Sequence, residues 1–430
     1  MSKTNLFLFL ILFNFYSYSA FSQTGKVEIL QRESKWVLEV DGFPYYINGA
    51  GGETHLDDLV KINGNTIRTW GMENAQSVLD EAEKKGVKVM LGLWVQHERH
   101  GFDYNDEEKV KNQLEDFRIL IRKFKNHPAL LIWCVGNEYE LAYQNTKVWK
   151  AVNDIAKMVK EEDPNHPTAS VTAGTSSEKL KFVQTQLTDV DIYGINTYGD
   201  IDSVKIILKN GNFKGPYMIT EWGPDGHWQS PKTSWKSSIE QTSKEKYDSY
   251  VSRYNDFIQS DSLQCIGSFA FLWGQKQEYT STWYGVFTEQ GFPTEVYDAL
   301  AVSWSKKIVT NNSPTVDSLK FLGDFNERNL FLRPNGKYKV AVYAHDINKD
   351  KLTISWELFP ESTDLKSGGD AESKPIEIFG NLKKGKSQTC KLHTPRKEGA
   401  YRLYVTISDG EKIAYANIPF YVGSLVEIKK

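Results

Sequence analysis

Cysteine is scarce in this chain, with three among 430 residues, and the scarcity argues against a fold stapled by disulfides. Cys134, Cys265 and Cys390 are an odd number, so they cannot all pair within one chain. We expect free, mostly buried thiols, and their spacing fits no zinc motif. A bias of charge is also missing. Lys and Arg number 52 and Asp and Glu 55, a formal net charge of −3. That balance gives no reason to expect nucleic acid or an anionic membrane surface as partner. Beyond the N-terminus no stretch is apolar for long enough to span a bilayer. Internal repeats and low-complexity tracts are absent. Aromatic residues, in contrast, are plentiful, with 12 Trp, 22 Tyr and 22 Phe. Most aromatics fill cores, but several here stand beside polar residues at strand ends, where a sugar ring could stack.

The N-terminus carries Lys3, an apolar run from Leu6 to Phe13, and then small residues, the pattern of a secretory signal. Ala20 and Ser22 suit the positions flanking a cleavage site, so residues 1–22 are expected to be removed. The mature chain is then expected in the periplasm or outside the cell, with no membrane insertion. No Cys follows the run, so the usual lipoprotein attachment is not available.

From residue 23 to 306 short apolar runs alternate with amphipathic stretches. The runs are 45–49, 66–70, 87–95, 130–135, 168–172, 190–196, 217–220 and 266–273. In Asn74–Lys85, Ala75, Val78, Leu79 and Ala82 share one helical face, and Gly86 supplies a stop. Stretches 106–125, 146–162, 241–260 and 294–305 read the same way. Eight strands with helical connectors predict a (β/α)8 TIM barrel, whose strands are buried on both faces. "KVEILQRESKWVLEVDG" before the first run reads as a hairpin closing the barrel floor. Residues 307–430 change character to short alternating runs between turns. They predict a linker and a small immunoglobulin-like β-sandwich, from about 313 to 422. "STDLKSGGDAESK" at 362–374 reads as an exposed loop.

Active-site residues of such barrels come from the C-terminal ends of strands. Two ends finish in Glu, "WCVGNE" at Glu138 and "MITEWG" at Glu221, in the fourth and seventh runs. One strand-end Glu is usually a solvated side chain. Two, in strands whose ends can face one pocket, are what glycoside cleavage needs, one protonating the leaving oxygen and one attacking or activating water. Alternation along a strand would point Asn137 and Glu138 opposite ways, and Gly136 permits the bulge that turns both inward.

With these motifs, the barrel resembles the clan A retaining glycoside hydrolases. "VGNE" is similar to their acid/base motif and "ITEWG" to their nucleophile motif. The resemblance implies Glu138 as acid/base, Glu221 as nucleophile and Asn137 as partner of the sugar 2-hydroxyl. "GNTIRTWG" resembles the strand whose Arg braces the nucleophile, here Arg68. "GINTYG" resembles the strand whose Tyr bonds it, here Tyr198. "SFAFLWG" resembles the strand whose Trp floors the reacting-sugar subsite, here Trp273. Within the clan the barrel is most similar to glycoside hydrolase family 2, which places β-domains before its barrel. None fits between the signal peptide and Tyr45. A barrel followed by one immunoglobulin-like domain is more similar to the secreted Bacteroidetes endo-β-1,3-glucanases of family 158. The chemistry agrees. Arg68 and Tyr198 would stabilise a charged Glu221, whose charge would in turn keep Glu138 protonated.

Loops after the third, seventh and eighth runs add Trp94, His97, His227, Trp228, Trp235, Trp283 and Tyr284 as substrate-lining candidates. His97 and His100 invite a metal, but no further ligand cluster is evident. Asp346, Asn348 and Asp350 alternate as calcium ligands do, but without the Gly and distal Glu of an EF-hand they read better as a polar turn. The expectation is therefore a monomeric, exported, retaining β-glycosidase with no cofactor, acting on a β-glucan, with endo-β-1,3-glucan as the best match. A transglycosylase would use the same residues while excluding water. A non-catalytic glycan-binding protein with a decayed barrel would have lost one of the two Glu.

Overall fold

The computed structural model describes residues 25–306, 309–326, 328–383 and 388–423. The expected signal segment, residues 1–22, lies outside them. The described chain begins with an antiparallel sheet of β1 (Val27–Arg32), β2 (Lys35–Val40) and β3 (Phe43–Tyr45). The barrel follows as β4 (Ile47–Gly51), α1 (Leu56–Lys61), β5 (Thr66–Arg68), α2 (Ala75–Lys85), β6 (Lys88–Leu93), α3 (Glu107–Phe124), β7 (Leu130–Asn137) and α4 (Lys147–Glu162). It continues with β8 (Thr168–Ala173), α5 (Ser177–Gln186), β9 (Ile192–Asn196), α6 (Ile201–Asn210), β10 (Tyr217–Trp222), α7 (Ser243–Arg253), β11 (Cys265–Ala270) and α8 (Glu295–Ser305). The eight strands β4 to β11 pair in sequence order, and β11 closes on β4. Every pairing in the ring is parallel. This is the predicted (β/α)8 barrel.

Local chemistry sets the elements. Every residue of β7 is buried, as a strand sandwiched between barrel interior and helices requires. α4 turns Val148, Val152, Ile155, Ala156 and Val159 inward. Gly86 ends α2 in the left-handed conformation at φ 67°. Asp106 caps α3, and Thr242 with Glu245 forms a reciprocal capping box on α7. Ile132, Cys134, Val171, Met218 and Phe269 fill the barrel interior, and Val27 and Leu38 of the first sheet join that cluster, so the hairpin does close the floor. None of the three cysteines forms a disulfide, and all three are buried. No helix among the described residues is long and apolar enough to cross a membrane.

The C-terminal part is a sandwich of two four-stranded sheets. Its strands are β12 (Thr315–Phe321), β13 (Phe331–Leu332), β14 (Lys337–His345), β15 (Thr353–Pro360), β16 (Leu382–Lys383), β17 (Thr389–His393), β18 (Gly399–Ser408) and β19 (Ile413–Val422). One sheet runs β12-β14-β17-β16 and the other β13-β19-β18-β15. Trp356, Leu403 and Phe420 lie in the shared core. A buried polar network docks this unit on the barrel. Lys246 of α7 donates to Glu240 at 2.6 Å and to the Tyr415 hydroxyl at 3.2 Å. Asn417 donates to the other Glu240 oxygen at 2.6 Å, and Arg402 to the Ser238 carbonyl at 2.8 Å.

The segment 362–374, expected to be an exposed loop, lies within the 361–381 connection between β15 and β16, has no helix or strand and is mostly exposed. Its tip, Lys366–Asp370, lies over the C-terminal mouth of the barrel and lines the same cavity as Glu138 and Glu221.

Candidate active site

The site is made where β7 and β10 lose their regular register. The pairing of β7 with β8 slips between Cys134 and Asn137, and that of β10 with β9 slips between Ile219 and Glu221. Gly136 takes φ +76° and Glu138 φ +49°. A Cβ at Gly136 would also meet the Tyr139 ring at 2.7 Å, so glycine is required there twice over. The bend brings Asn137 and Glu138 to the same cavity, with a volume of about 700 Å³, that Glu221 lines from β10.

Donors converge on Glu221. Arg68, fully buried at the end of β5, donates to its Oε1 at 3.0 Å. The Trp70 indole donates to the same oxygen at 2.8 Å, and the Tyr198 hydroxyl to Oε2 at 3.0 Å. Burial and the Glu221 charge push the Tyr198 hydroxyl well above the usual tyrosine range, so it remains a donor. Charge-assisted bonds of this kind fix the orientation of a carboxylate.

Asn196 at the end of β9 links the two acids. Its amide nitrogen donates to Glu138 Oε1 at 2.8 Å and to Asn137 Oδ1 at 3.1 Å. Its oxygen accepts from Thr220 at 2.8 Å and Arg68 at 3.3 Å. Arg68 also donates to Asn137 Oδ1 at 2.5 Å, which leaves the Asn137 amide nitrogen for a ligand. Burial, then the charge of Glu221, raises the Glu138 carboxyl above the ordinary glutamate range. Two acids in one cavity thus stand in opposite environments, the arrangement that separates a proton donor from a nucleophile.

Of the other candidates, Trp94, His227 and Trp228 line the cavity, and Trp228 is 53% exposed, with a face free for stacking. Several of the remaining placements differ from expectation. Trp273 is buried away from the cavity, its indole donating to the Thr54 carbonyl at 2.9 Å and its ring packed on Phe287 and Tyr297. β11 ends at Ala270, so Phe271 and Leu272 line the cavity instead. Trp283 is 1% exposed, packs on Tyr279 and donates to the Asp225 carbonyl at 2.9 Å, so it has no face to offer. His97 stacks against Trp94 and accepts from Arg99 at 3.1 Å; it supports the cavity wall without lining it. Burial and the Arg99 charge hold its pKa down at about 4, which keeps it neutral. Arg68 braces Glu221, as the motif implied, and holds Asn137, without itself lining the cavity. Trp235 is likewise removed, packed on Phe331 and Tyr421 of the sandwich.

Trp70, Asn196, Glu278 and the 366–370 segment complete the site. Trp70 and Asn196 stand inside the quoted motifs "IRTWG" and "GINTYG", where strand-end position was the available signal. His97 and His100 stack at 5.3 Å, and His100 lies 3.2 Å from the Asp370 carboxylate. Asp346 and Asp350 approach Asp409, with ligand atoms within 4.8 Å, and one oxygen each of Asp346 and Asp409 accepts from turn amides. Asp346 takes the amide of Asp350 at 3.1 Å, and Asp409 those of Glu411 and Lys412 at 2.7 and 2.6 Å, as the turn reading expects.

A closed parallel barrel with one donor-held and one proton-retaining carboxyl at its C-terminal mouth has the geometry of a glycoside hydrolase. The family model described as glycosyl hydrolases family 2, TIM barrel domain, matches residues 61–333, more than half the chain, and the chain belongs to that family. A β-glucuronidase of Paenibacillus borealis is 24% identical over 62% of this chain and 50% of its own length. The β-galactosidase BoGH2A of Bacteroides ovatus is 22% identical over 86% of this chain and 49% of its own. The chain thus spans about half the length of these curated relatives. Among solved structures, a β-D-glucuronidase of Dictyoglomus thermophilum aligns with TM-score 0.50 at 18% identity, covering 66% of this chain and 54% of that one. A β-glucuronidase of Ruminococcus gnavus aligns with TM-score 0.52 at 15% identity, covering 65% and 52%. At such identities the structures share the fold.

Proposed function

We propose that this protein is a retaining β-glycoside hydrolase with Glu221 as nucleophile and Glu138 as acid/base. The observation that carries the reading is the asymmetry of the pair. Glu221 takes three donated hydrogen bonds, while burial and the Glu221 charge keep the proton on Glu138. In the first step a Glu221 oxygen bonds to the anomeric carbon as the glycosidic C–O bond breaks. Glu138 gives its proton to the departing oxygen. The ester neutralises Glu221, so Glu138, now ionised, takes a proton from water as the water oxygen displaces Glu221 with a second inversion.

The substrate class we propose is a neutral β-linked sugar, a β-glucan above all. The cavity is lined by the acids Glu138, Asp200, Glu221, Glu278 and Asp370 and by two lysines. Both lysines are paired, Lys276 with Glu278 and Lys366 with Asp364, each at 2.8 Å. A uronic acid carboxylate would find both lysines already engaged by carboxylates. The β-1,3 linkage is carried by the sequence resemblance to family 158 alone. Of the aromatic platforms named for endo-action, Trp94 and Trp228 line the cavity while Trp235, Trp283 and Tyr284 do not. We further propose an exported monomer.

The test is a panel of p-nitrophenyl β-glycosides and soluble β-glucans, with products sized and the first anomer read by NMR. β-Configured products from a neutral glycoside support the reading. Turnover of uronides alone refutes the substrate class, and the opposite anomer refutes the mechanism.

A further inference from the structure

A stretch of more than about 12–15 residues without secondary structure is uncommon in a compact domain and is usually functional, and the 361–381 connection exceeds that length. It is also not loose. Two of its acids, Asp370 and Glu372, pin it to two different barrel loops. Asp370 accepts from Arg99 at 2.6 Å and lies 3.2 Å from His100, both in the loop between β6 and α3. Arg99 reaches further, donating to the Ser367 and Gly368 carbonyls at 3.2 and 3.3 Å. Glu372 accepts from the backbone of Tyr279, in the loop between β11 and α8, at 2.6 Å, and with its other oxygen from the backbone of Lys366 at 2.9 Å. Lys276 of that same loop donates to the Gly369 carbonyl at 2.9 Å and pairs with Glu278 inside the cavity at 2.8 Å.

The tip fits its seat closely. Gly368 has φ +63°, and a Cβ there would meet the Leu141 side chain at 2.7 Å and the Arg99 guanidinium at 2.9 Å. Leu141 follows β7, so the tip rests on the loops after the third and fourth barrel strands on one side and after the eighth on the other. A segment tied down at both sides of a mouth is a bridge over it. A glycan cannot be laid sideways into a cleft that is bridged; it has to enter end-first.

We propose that the C-terminal sandwich is a working part of the substrate site, and that its 364–373 segment roofs the cavity so that it accepts a chain end or a short glycoside and excludes the middle of a polymer. This rests on the reading of the cavity as a glycan site. It takes the place of the open cleft that endo-action requires. The pair Asp370 and Glu372 is the latch, and the Arg99 side chain and the Tyr279 amide are its counterparts on the barrel. None of these four is assigned a part in the chemical steps.

The experiment compares the full chain with Asp370→Ala/Glu372→Ala and with the milder Asp370→Asn/Glu372→Gln, which keeps side-chain shape and removes charge. Each is assayed on p-nitrophenyl β-D-glucoside and on laminarin. Unlatching is expected to raise KM for the small glycoside about tenfold with a smaller change in kcat, and to shift kcat/KM toward laminarin by a similar factor. Products from laminarin should change from short, uniform fragments to mixed lengths. If the alanine pair does not fold, the amide pair carries the comparison. Unchanged KM, preference and products in a folded variant overturn the roof. If wild-type protein turns over neither probe, the proposed function on β-glucans has failed, and the roof is read by binding of the same probes through the fluorescence of Trp70, Trp94 and Trp228. Weaker binding of the small glycoside by the unlatched variant then supports the roof; equal binding, or none to any form, overturns it.

Discussion

The Trp70 indole donates to Glu221 at 2.8 Å, onto the same carboxylate oxygen that Arg68 holds at 3.0 Å. The opposite oxygen is held by Tyr198. A carboxylate clamped from both ends cannot swing out of line with the anomeric carbon, and positioning of this kind is worth large factors in rate.

Trp70→Phe keeps most of the ring and removes this donor. A hydrogen bond to a charged group contributes about 1.5–3 kcal/mol, so kcat should fall by about 10- to 100-fold. The melting temperature should change little. Steady-state kinetics on an aryl β-glycoside check this, and an unchanged kcat would show that Trp70 is only part of the wall.

The pH profile should carry the mark of Glu138. Its acid form is the active one in the first step, and its pKa is raised by burial and by Glu221. The alkaline limb of kcat/KM should therefore lie well above the ordinary glutamate value of about 4.3. The Asn196 bond favours the ionised form and opposes the shift. Asn196→Ala should move the limb to still higher pH, and a shift to lower pH would contradict this assignment.

The domain interface should respond to pH through Glu295. Its carboxyl accepts from Ser243 of α7 and, at 2.9 Å, from Thr315 of β12, and burial pushes its pKa up to about 7. The unfolded chain binds this proton less tightly, with a pKa of about 4.3. The stabilising contribution is therefore complete below about pH 4.3 and lost as pH rises through about 7. Glu295→Gln, which stays neutral, should show a smaller fall in melting temperature over that window. Parallel curves for the two proteins would contradict it.

Lys246 and Glu240 form a buried pair at 2.6 Å under the sandwich. Lys246→Met leaves Glu240 with less compensation and should cost about 3–5 kcal/mol. Denaturant unfolding measures it, and a loss under about 1 kcal/mol would fit only an exposed pair.

The barrel was legible because eight apolar runs are each buried on both faces, and because α2, α3 and α4 carry strong apolar stripes with recognisable ends. α5 buries only Leu180 and Val183 along its length, too little pattern to declare a helix. The acids and Arg68, Asn137 and Tyr198 could be placed by motif because strand ends fix their positions. Trp273 could not, since the turn after Ala270 decides which aromatic faces the cavity, and that turn depends on Thr54 and α8 packing against it. The 362–374 segment has the composition of a solvated loop, and its seat depends on partners such as Arg99, far away in sequence. Hydrophobic periodicity carries no information about such contacts.

Replacement of Glu138 separates the two acids. Glu138→Ala should lose about 10²–10⁴-fold in kcat on substrates that need protonation of the leaving group, and less on a dinitrophenyl glycoside. Azide should restore part of the second step and yield a β-glycosyl azide. Normal turnover by the variant would remove Glu138 from the mechanism.

The most direct test of the central claim is to trap the glycosyl-enzyme. Incubation with 2,4-dinitrophenyl 2-deoxy-2-fluoro-β-D-glucoside slows both steps but leaves the good leaving group to drive the first. Mass spectrometry of the digested protein should then find one fluoroglucosyl group on the peptide containing Glu221, at that residue, with no label in Glu221→Ala. Label on another residue, or hydrolysis of β-glucosides with no covalent adduct and inversion of the anomer, would contradict the account.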